Sequence, residues 1–252
     1  MIRFSANLGF LWREHDLIAA IHAAAAAGFD AVECHWPFDV PPASVKSALA
    51  VTGLPMVSLN TRAGDTFGLA ALPEQMDKAR AAIDEALDYA HAVGSSNVHV
   101  MAGNASGEVA HRTFVDNLRQ ASARAAANNI TLLIEPMNAV DAPHYFLRAG
   151  DQARAIIEEV GAPNLKLMFD CYHFGRSGED VEQALARLFP VIGHIQFAAV
   201  PHRGPPDHGD VEYSSVLRRS MLLGYQGYWG AEYQPAGPTD GSLSWMEPLR
   251  RS

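Results

Sequence analysis

Short apolar runs rich in β-branched residues alternate along the whole chain with stretches of helical period, the pattern of a parallel sheet joined by helical crossovers. Eight runs read as strands: Arg3–Asn7, Ala31–Glu33, Met56–Leu59, Asn97–Met101, Thr131–Glu135, Lys166–Asp170, Val191–Gln196 and Tyr228–Glu232. Between them, Met76, Ala79, Ile83, Leu87 and Ala90 mark one face of a helix, and Phe114, Leu118, Ala121 and Ala125 mark another. Gly28, Gly94, Gly161 and Gly224 each follow a periodic stretch and precede a strand, as a left-handed helix stop does. About eight units of roughly 30 residues match a (β/α)8 TIM barrel, an α/β fold. With no Pro/Gly/Ser-rich linker or compositional break, residues 1–252 are expected to form one barrel domain. Little chain is left after the eighth run, and Pro235, Gly237 and Pro238 come early in it, so the last helix should be short or replaced by a loop and tail.

Composition fits this picture: 252 residues, 48% hydrophobic and 19% charged, are enough to bury a large core. The net charge of −9, from 19 Lys and Arg against 28 Asp and Glu, disfavours a nucleic-acid partner, because that affinity rests on basic side chains. A small metabolite is the expected substrate. Cys34 and Cys171 are too few for a disulfide framework, and neither a long apolar span nor a basic leader is visible, so a soluble cytoplasmic protein without a membrane partner is expected.

Four of the runs carry an oxygen donor at or near their C-terminal ends: Glu135, Asp170, Gln196 and Glu232, separated by 35, 26 and 36 residues. Each interval is one barrel unit, so the four should converge on the rim where barrels keep their chemistry. Alternation along each strand lets all four face inward. One acidic residue at a strand end is commonly a helix cap or a surface ion-pair partner, but independent caps have no reason to follow the barrel period. Three carboxylates and one amide oxygen are a hard donor set, suited to one Mg²⁺ or Mn²⁺ more than to zinc. Without a cation, three buried carboxylates near one point would repel one another and protonate.

The stretches Ile134-Glu135-Pro136-Met137-Asn138, Phe169-Asp170-Cys171-Tyr172-His173, His194-Ile195-Gln196-Phe197-Ala198 and Ala231-Glu232-Tyr233-Gln234-Pro235 resemble the hydroxypyruvate isomerase family, within the wider xylose-isomerase-like barrels. Ser5-Ala6-Asn7-Leu8 and Ala25-Ala26-Ala27-Gly28-Phe29-Asp30-Ala31-Val32-Glu33 resemble it too, so the likeness covers nearly the whole chain. The resemblance implies a metal-dependent isomerase that interconverts an α-hydroxy aldehyde and an α-hydroxy ketone, the pair being hydroxypyruvate and tartronate semialdehyde in its nearest members. It also implies that Glu135, Asp170, Gln196 and Glu232 bind the cation and that Glu135 and Glu232 double as the proton-transfer pair. His173 and Arg203 fall where the family contacts substrate, and a guanidinium can clamp a carboxylate by paired hydrogen bonds.

The chemistry agrees, since exchange through an enediolate needs a base, an acid and a cation across the two oxygens. Isomerisation of 2-oxo-tetronates or 3-epimerisation of ketoses would use the same groups. An apurinic endonuclease or a non-catalytic metabolite-binding barrel are further alternatives, and homo-oligomers are common among such barrels. Among the other polar residues, His99 reads as a neighbour of the site or a core histidine, His194 as a support for Gln196, and His35 and Trp36 as pocket walls. His144, His202 and the segment Phe174-Gly175-Arg176-Ser177-Gly178 depart from the family pattern on rim loops, which set substrate identity.

Overall fold

In the computed structural model, which describes residues 2–251, the eight apolar runs close into one parallel barrel in sequence order. The strands are β1 (Phe4–Asn7), β2 (Ala31–Cys34), β3 (Met56–Asn60), β4 (Asn97–His99), β5 (Thr131–Ile134), β6 (Leu165–Asp170), β7 (Ile192–Phe197) and β8 (Trp229–Ala231), and β1 pairs with β8 to complete the ring. The outer layer comprises α1 (Leu17–Ala26), α2 (Pro42–Thr52), α3 (Met76–Val93), α4 (Gly107–Ala127), α5 (Gly150–Val160), α7 (Val181–Leu188) and α8 (Tyr213–Leu222). A one-turn α6 (Cys171–Arg176) leaves the rim directly after β6, and α9 (Met246–Arg250) is the short final helix expected from the chain length remaining.

The helical faces read from periodicity are those that cover the barrel. Ala79, Ile83, Leu87 and Ala90 on α3, and Phe114, Leu118, Ala121 and Ala125 on α4, are all buried. The four predicted stop glycines have φ between 69 and 96°, whereas α4 ends without glycine and places Asn129 at φ 55°.

Three strands end earlier than the sequence indicates. β4 stops at His99 rather than Met101, because the amide of Met101 turns to the Thr61 hydroxyl instead of the ladder. β5 stops at Ile134, one residue before Glu135, where Pro136 offers no N–H. β8 ends at Ala231, and Gln234 donates to the carbonyl of Arg203 on another rim loop. Glu135 and Glu232 therefore stand just past their strands, while Asp170 ends β6 and is paired directly with Gln196, the penultimate residue of β7.

The C-terminal segment closes the core near β1, β7 and β8. Phe197 is fully buried and packs against Phe4, Tyr213, Trp229 and Trp245 at centroid distances of 5.3–5.7 Å. Removing that ring leaves a cavity bounded by four other aromatics. Phe197→Ala is expected to cost about 3–5 kcal/mol, read as a lower midpoint in urea unfolding.

Candidate active site

Glu135, Asp170, Gln196 and Glu232 meet at the C-terminal rim, each with no more than 6% of its surface exposed. Asp170 serves two purposes. Its Oδ1 accepts from the amide of Tyr172 at 3.0 Å and caps α6, and its Oδ2 turns into the site toward Arg203 Nη2 at 3.2 Å and His173 Nε2 at 3.6 Å. The simple capping role of a strand-end acid is thus real here, but it uses only one oxygen.

The orientation of Gln196 follows from its neighbours. Its Nε2 donates to Glu33 Oε2 at 2.8 Å and to Glu232 Oε1 at 3.4 Å, which leaves Oε1 buried without a partner. Glu232 Oε1 also accepts from Asn7 Nδ2 at 2.8 Å and lies 3.0 Å from His35 Nε2. Asn7 is held the right way round because its Oδ1 takes the amide of Gly9.

His173 is fixed by a similar chain. Asn138 donates to Nδ1 through its backbone amide at 3.2 Å and its side-chain nitrogen at 2.7 Å, while Asn138 Oδ1 accepts from the amides of Val140 and Asp141. Nδ1 is therefore the acceptor, and the ring proton sits on Nε2. Burial, then Arg203, pushes His173 down to about 3, so the ring is neutral. Its Nε2–H points among Asp170 Oδ2 at 3.6 Å and Glu135 Oε1 at 3.8 Å without hydrogen-bonding either. Glu135, Asp170 and His173 form a cluster with donor atoms within 4.8 Å of one another. With its proton on Nε2, however, His173 is built to donate a hydrogen bond there and has no lone pair to offer an ion.

Arg203 supplies the positive charge. Its Nη2 bonds both Asp170 Oδ2, at 3.2 Å, and Glu232 Oε2, and its guanidinium lies between the rings of Phe10 and Tyr172 at 4.8 and 4.7 Å. Burial works against that charge, but Glu232 and Asp170 hold it more firmly than usual. The acids then separate. Burial alone would raise Glu232, yet Arg203, followed by His35, brings it down to about 2. Burial raises Asp170 to about 7 against the pull of Arg203. Burial, with Glu232 and Asp170 adding to it, raises Glu135 well above the ordinary carboxylate range.

When ionised, three carboxylates against one guanidinium leave two negative charges, the charge a divalent cation balances. Buried oxygens without partners, Glu135 Oε1 and Gln196 Oε1, are what such an ion needs from its surroundings. The donor set fits a hard divalent cation.

The other histidines fall into place around this centre. His35 binds Glu232 directly and so does more than wall a pocket. His99 Nδ1 is 3.7 Å from Glu135 Oε2, and burial lowers its pKa to about 4. His194 reaches Glu33 at 3.2 Å, one layer below Gln196. His144 and His202 are exposed on rim loops. Asn7, Glu33 and Asn138 were not singled out from the sequence as site residues. Asn7 and Glu33 carry the same signal as the four donors, a polar residue near the end of an apolar run, but they lie outside the run of intervals that drew attention to the others. Cys34 and Cys171 are free and buried.

The profile of the xylose isomerase-like TIM barrel family matches residues 21–249. The chain is 41% identical to the 2-oxo-tetronate isomerase of Cupriavidus necator, over 98% of each protein. It is 36% identical to the hydroxypyruvate isomerase of Escherichia coli, over 99% of this chain and 100% of that one. A crystal structure described as an AP endonuclease, family 2, from Brucella melitensis superposes with a TM-score of 0.95 at 32% identity, covering 98% of this chain and 99% of the other. Among the described residues no helix is long and apolar enough to cross a membrane. With a closed eight-stranded barrel and similarity to named isomerases along its full length, this chain belongs to the hydroxypyruvate isomerase family of xylose isomerase-like TIM barrel enzymes.

Proposed function

We propose that the protein isomerises a small hydroxy-oxo acid, hydroxypyruvate to tartronate semialdehyde, through an enediolate, with one Mg²⁺ or Mn²⁺ held by Glu135, Asp170, Gln196 and Glu232. One observation carries the reading: a buried rim site that holds three carboxylates and one guanidinium, paired with two of them, while Glu135 Oε1 and Gln196 Oε1 have no partner. When bound, the cation would offset negative charge developing on the two substrate oxygens.

The residues of the chain divide the remaining work. Glu232, held ionised by Arg203, is the group ready to accept a proton from the hydroxyl-bearing carbon. Glu135, its proton affinity raised by burial and its acidic neighbours, is the group that takes the substrate's hydroxyl proton and delivers it to the neighbouring carbon, while Glu232 returns its proton to the former carbonyl oxygen. The neutral His173 donates its Nε2–H to a substrate oxygen, the one polar partner that atom lacks. Arg203, positioned between Phe10 and Tyr172 with Nη2 on Asp170 and Glu232 and Nε on the Glu232 carbonyl, keeps Nη1 to offer the substrate carboxylate. The net charge of −9 and the depth of the site favour a small metabolite over a polynucleotide.

The 41% identity to a 2-oxo-tetronate isomerase favours a second reading, the same chemistry on a four-carbon acid. Hydroxypyruvate, 2-oxo-tetronates and neutral ketoses, offered to metal-stripped protein with and without Mg²⁺ or Mn²⁺, separate the cases. Turnover of one of the acids, lost on chelation and restored by the ion, is the expected result. Turnover of neutral ketoses alone would overturn the proposal.

A further inference from the structure

Glu33 is a buried acid, 1% exposed on β2, that the reaction itself does not use. Its Oε1 accepts from Ser5 Oγ at 2.7 Å, both its oxygens lie 3.2 Å from His194 Nε2, and its Oε2 accepts from Gln196 Nε2 at 2.8 Å. The backbone makes room for it. A Cβ on Gly230, the β8 residue paired with Gln196, would fall 2.2 Å from Glu33 Oε1 and 2.9 Å from Gln196 Cγ.

From this arrangement we infer that Glu33 is a positioning residue: it locks the Gln196 amide with its nitrogen toward the barrel interior and its oxygen toward the cation site. A carboxylate only accepts hydrogen bonds, so only the NH₂ of an amide can face it. With Glu33 taking one amide hydrogen and Glu232 the other, Gln196 Oε1 is the sole atom left to coordinate. Rotating the amide by half a turn would set two oxygens against each other at the 2.8 Å contact and break both bonds. A free glutamine samples both orientations, although only its oxygen and not its delocalised amide nitrogen can coordinate a hard cation, so the lock spares the ion that reorientation. Ser5 and His194 hold Glu33 in turn, so the chain of contacts runs from β1 through β2 to β7.

The inference rests on the reading of Gln196 as a ligand, and Mn²⁺ binding to the full-length, metal-stripped protein tests both separately. Titration calorimetry and the electron paramagnetic resonance of the ion report affinity without substrate or turnover. Gln196→Ala must itself weaken binding; if it does not, the ligand reading fails, and the role of Glu33 with it. Given that loss, Glu33→Ala is expected to weaken binding by about 10- to 100-fold in the unsubstituted protein, the usual effect of removing a ligand's support. Added to Gln196→Ala it should cost less than about threefold more, because its effect passes through the amide. An unchanged affinity in Glu33→Ala, or the same loss in both backgrounds, overturns the positioning role while leaving Gln196 a ligand.

If Glu33→Ala does not fold, the paired exchange Glu33→Gln with Gln196→Glu decides. It conserves charge and lets the new amide donate to the new carboxylate, whose second oxygen still faces the cation site. Binding within about threefold of the unsubstituted protein supports the inference. A loss as large as that of Gln196→Ala overturns it.

Discussion

Glu135→Gln and Glu232→Gln are each expected to lower turnover by about 10²- to 10⁴-fold, the usual contribution of a positioned acid or base, and to abolish exchange of the substrate's carbon-bound proton with deuterium in the solvent. The substitution keeps size and removes the ability to carry a proton. The two variants should differ in their side effects. Glu135 Oε1 makes no hydrogen bond and its other oxygen is 3.7 Å from His99, so an amide there disturbs little and the thermal midpoint should stay close to that of the unsubstituted protein. Glu232 accepts from Asn7, Gln196 and Arg203 and contacts His35, and an amide nitrogen must face one of those donors. Glu232→Gln should therefore lose stability as well as turnover, leaving Arg203 with Asp170 as its sole carboxylate partner. Exchange measured by NMR in deuterated buffer isolates the proton-transfer step from product release. Undiminished exchange in both variants would sink the two-glutamate mechanism.

The barrel was legible because its signal is repeated. Eight apolar runs at regular spacing, with glycine stops between helix and strand, leave few other folds, and errors of a residue or two at strand ends do not accumulate. Those errors fell where the chain leaves the ladder for function: Pro136 ends β5 beside Glu135, and Met101 turns its amide to Thr61. The four strand-end donors were legible for the same reason of period. What a period does not encode is which atom of a residue points where. The proton on His173 Nε2 depends on two donors from Asn138, 35 residues away, and the amide of Gln196 depends on Glu33 across the barrel. Arg203 shows the limit most clearly. The resemblance placed it against a substrate carboxylate, and the structure seats it on two of the protein's own, Asp170 and Glu232. Both carboxylates reach it only because the β6 and β8 ends and the loop after β7 come together in space.

The metal-stripped protein is expected to lose stability as pH rises from about 4 to about 7, and a divalent cation is expected to reverse that trend. Burial raises Asp170 to about 7, so across this interval the folded state keeps a proton that the unfolded chain has released. Folded protein then binds more protons than unfolded, and stability falls with rising pH. A shift of roughly three units corresponds to roughly 4 kcal/mol, and Glu135, raised by burial and its acidic neighbours, adds to the slope in the same sense. Glu232 has the opposite sign. Its depressed value of about 2 gives stability that is complete above the ordinary carboxylate range and is lost only as pH falls toward 2, so it does not cancel the slope between 4 and 7. Cation binding requires these oxygens ionised, so affinity should rise with pH and binding should release protons. Mn²⁺ at a thousandfold excess over its Kd stabilises by about 4 kcal/mol, and for a chain of this size each kcal/mol moves the melting temperature by about 2–4 °C. Scanning calorimetry between pH 5 and 8, with and without Mn²⁺, should show curves that diverge as pH rises. In Asp170→Asn the metal-free slope should flatten, because the group that holds the extra proton is gone. A shift on adding Mn²⁺ that is the same at every pH, or calorimetric binding heats independent of the buffer's ionisation enthalpy, would mean that the acids around Arg203 are already ionised before the cation arrives.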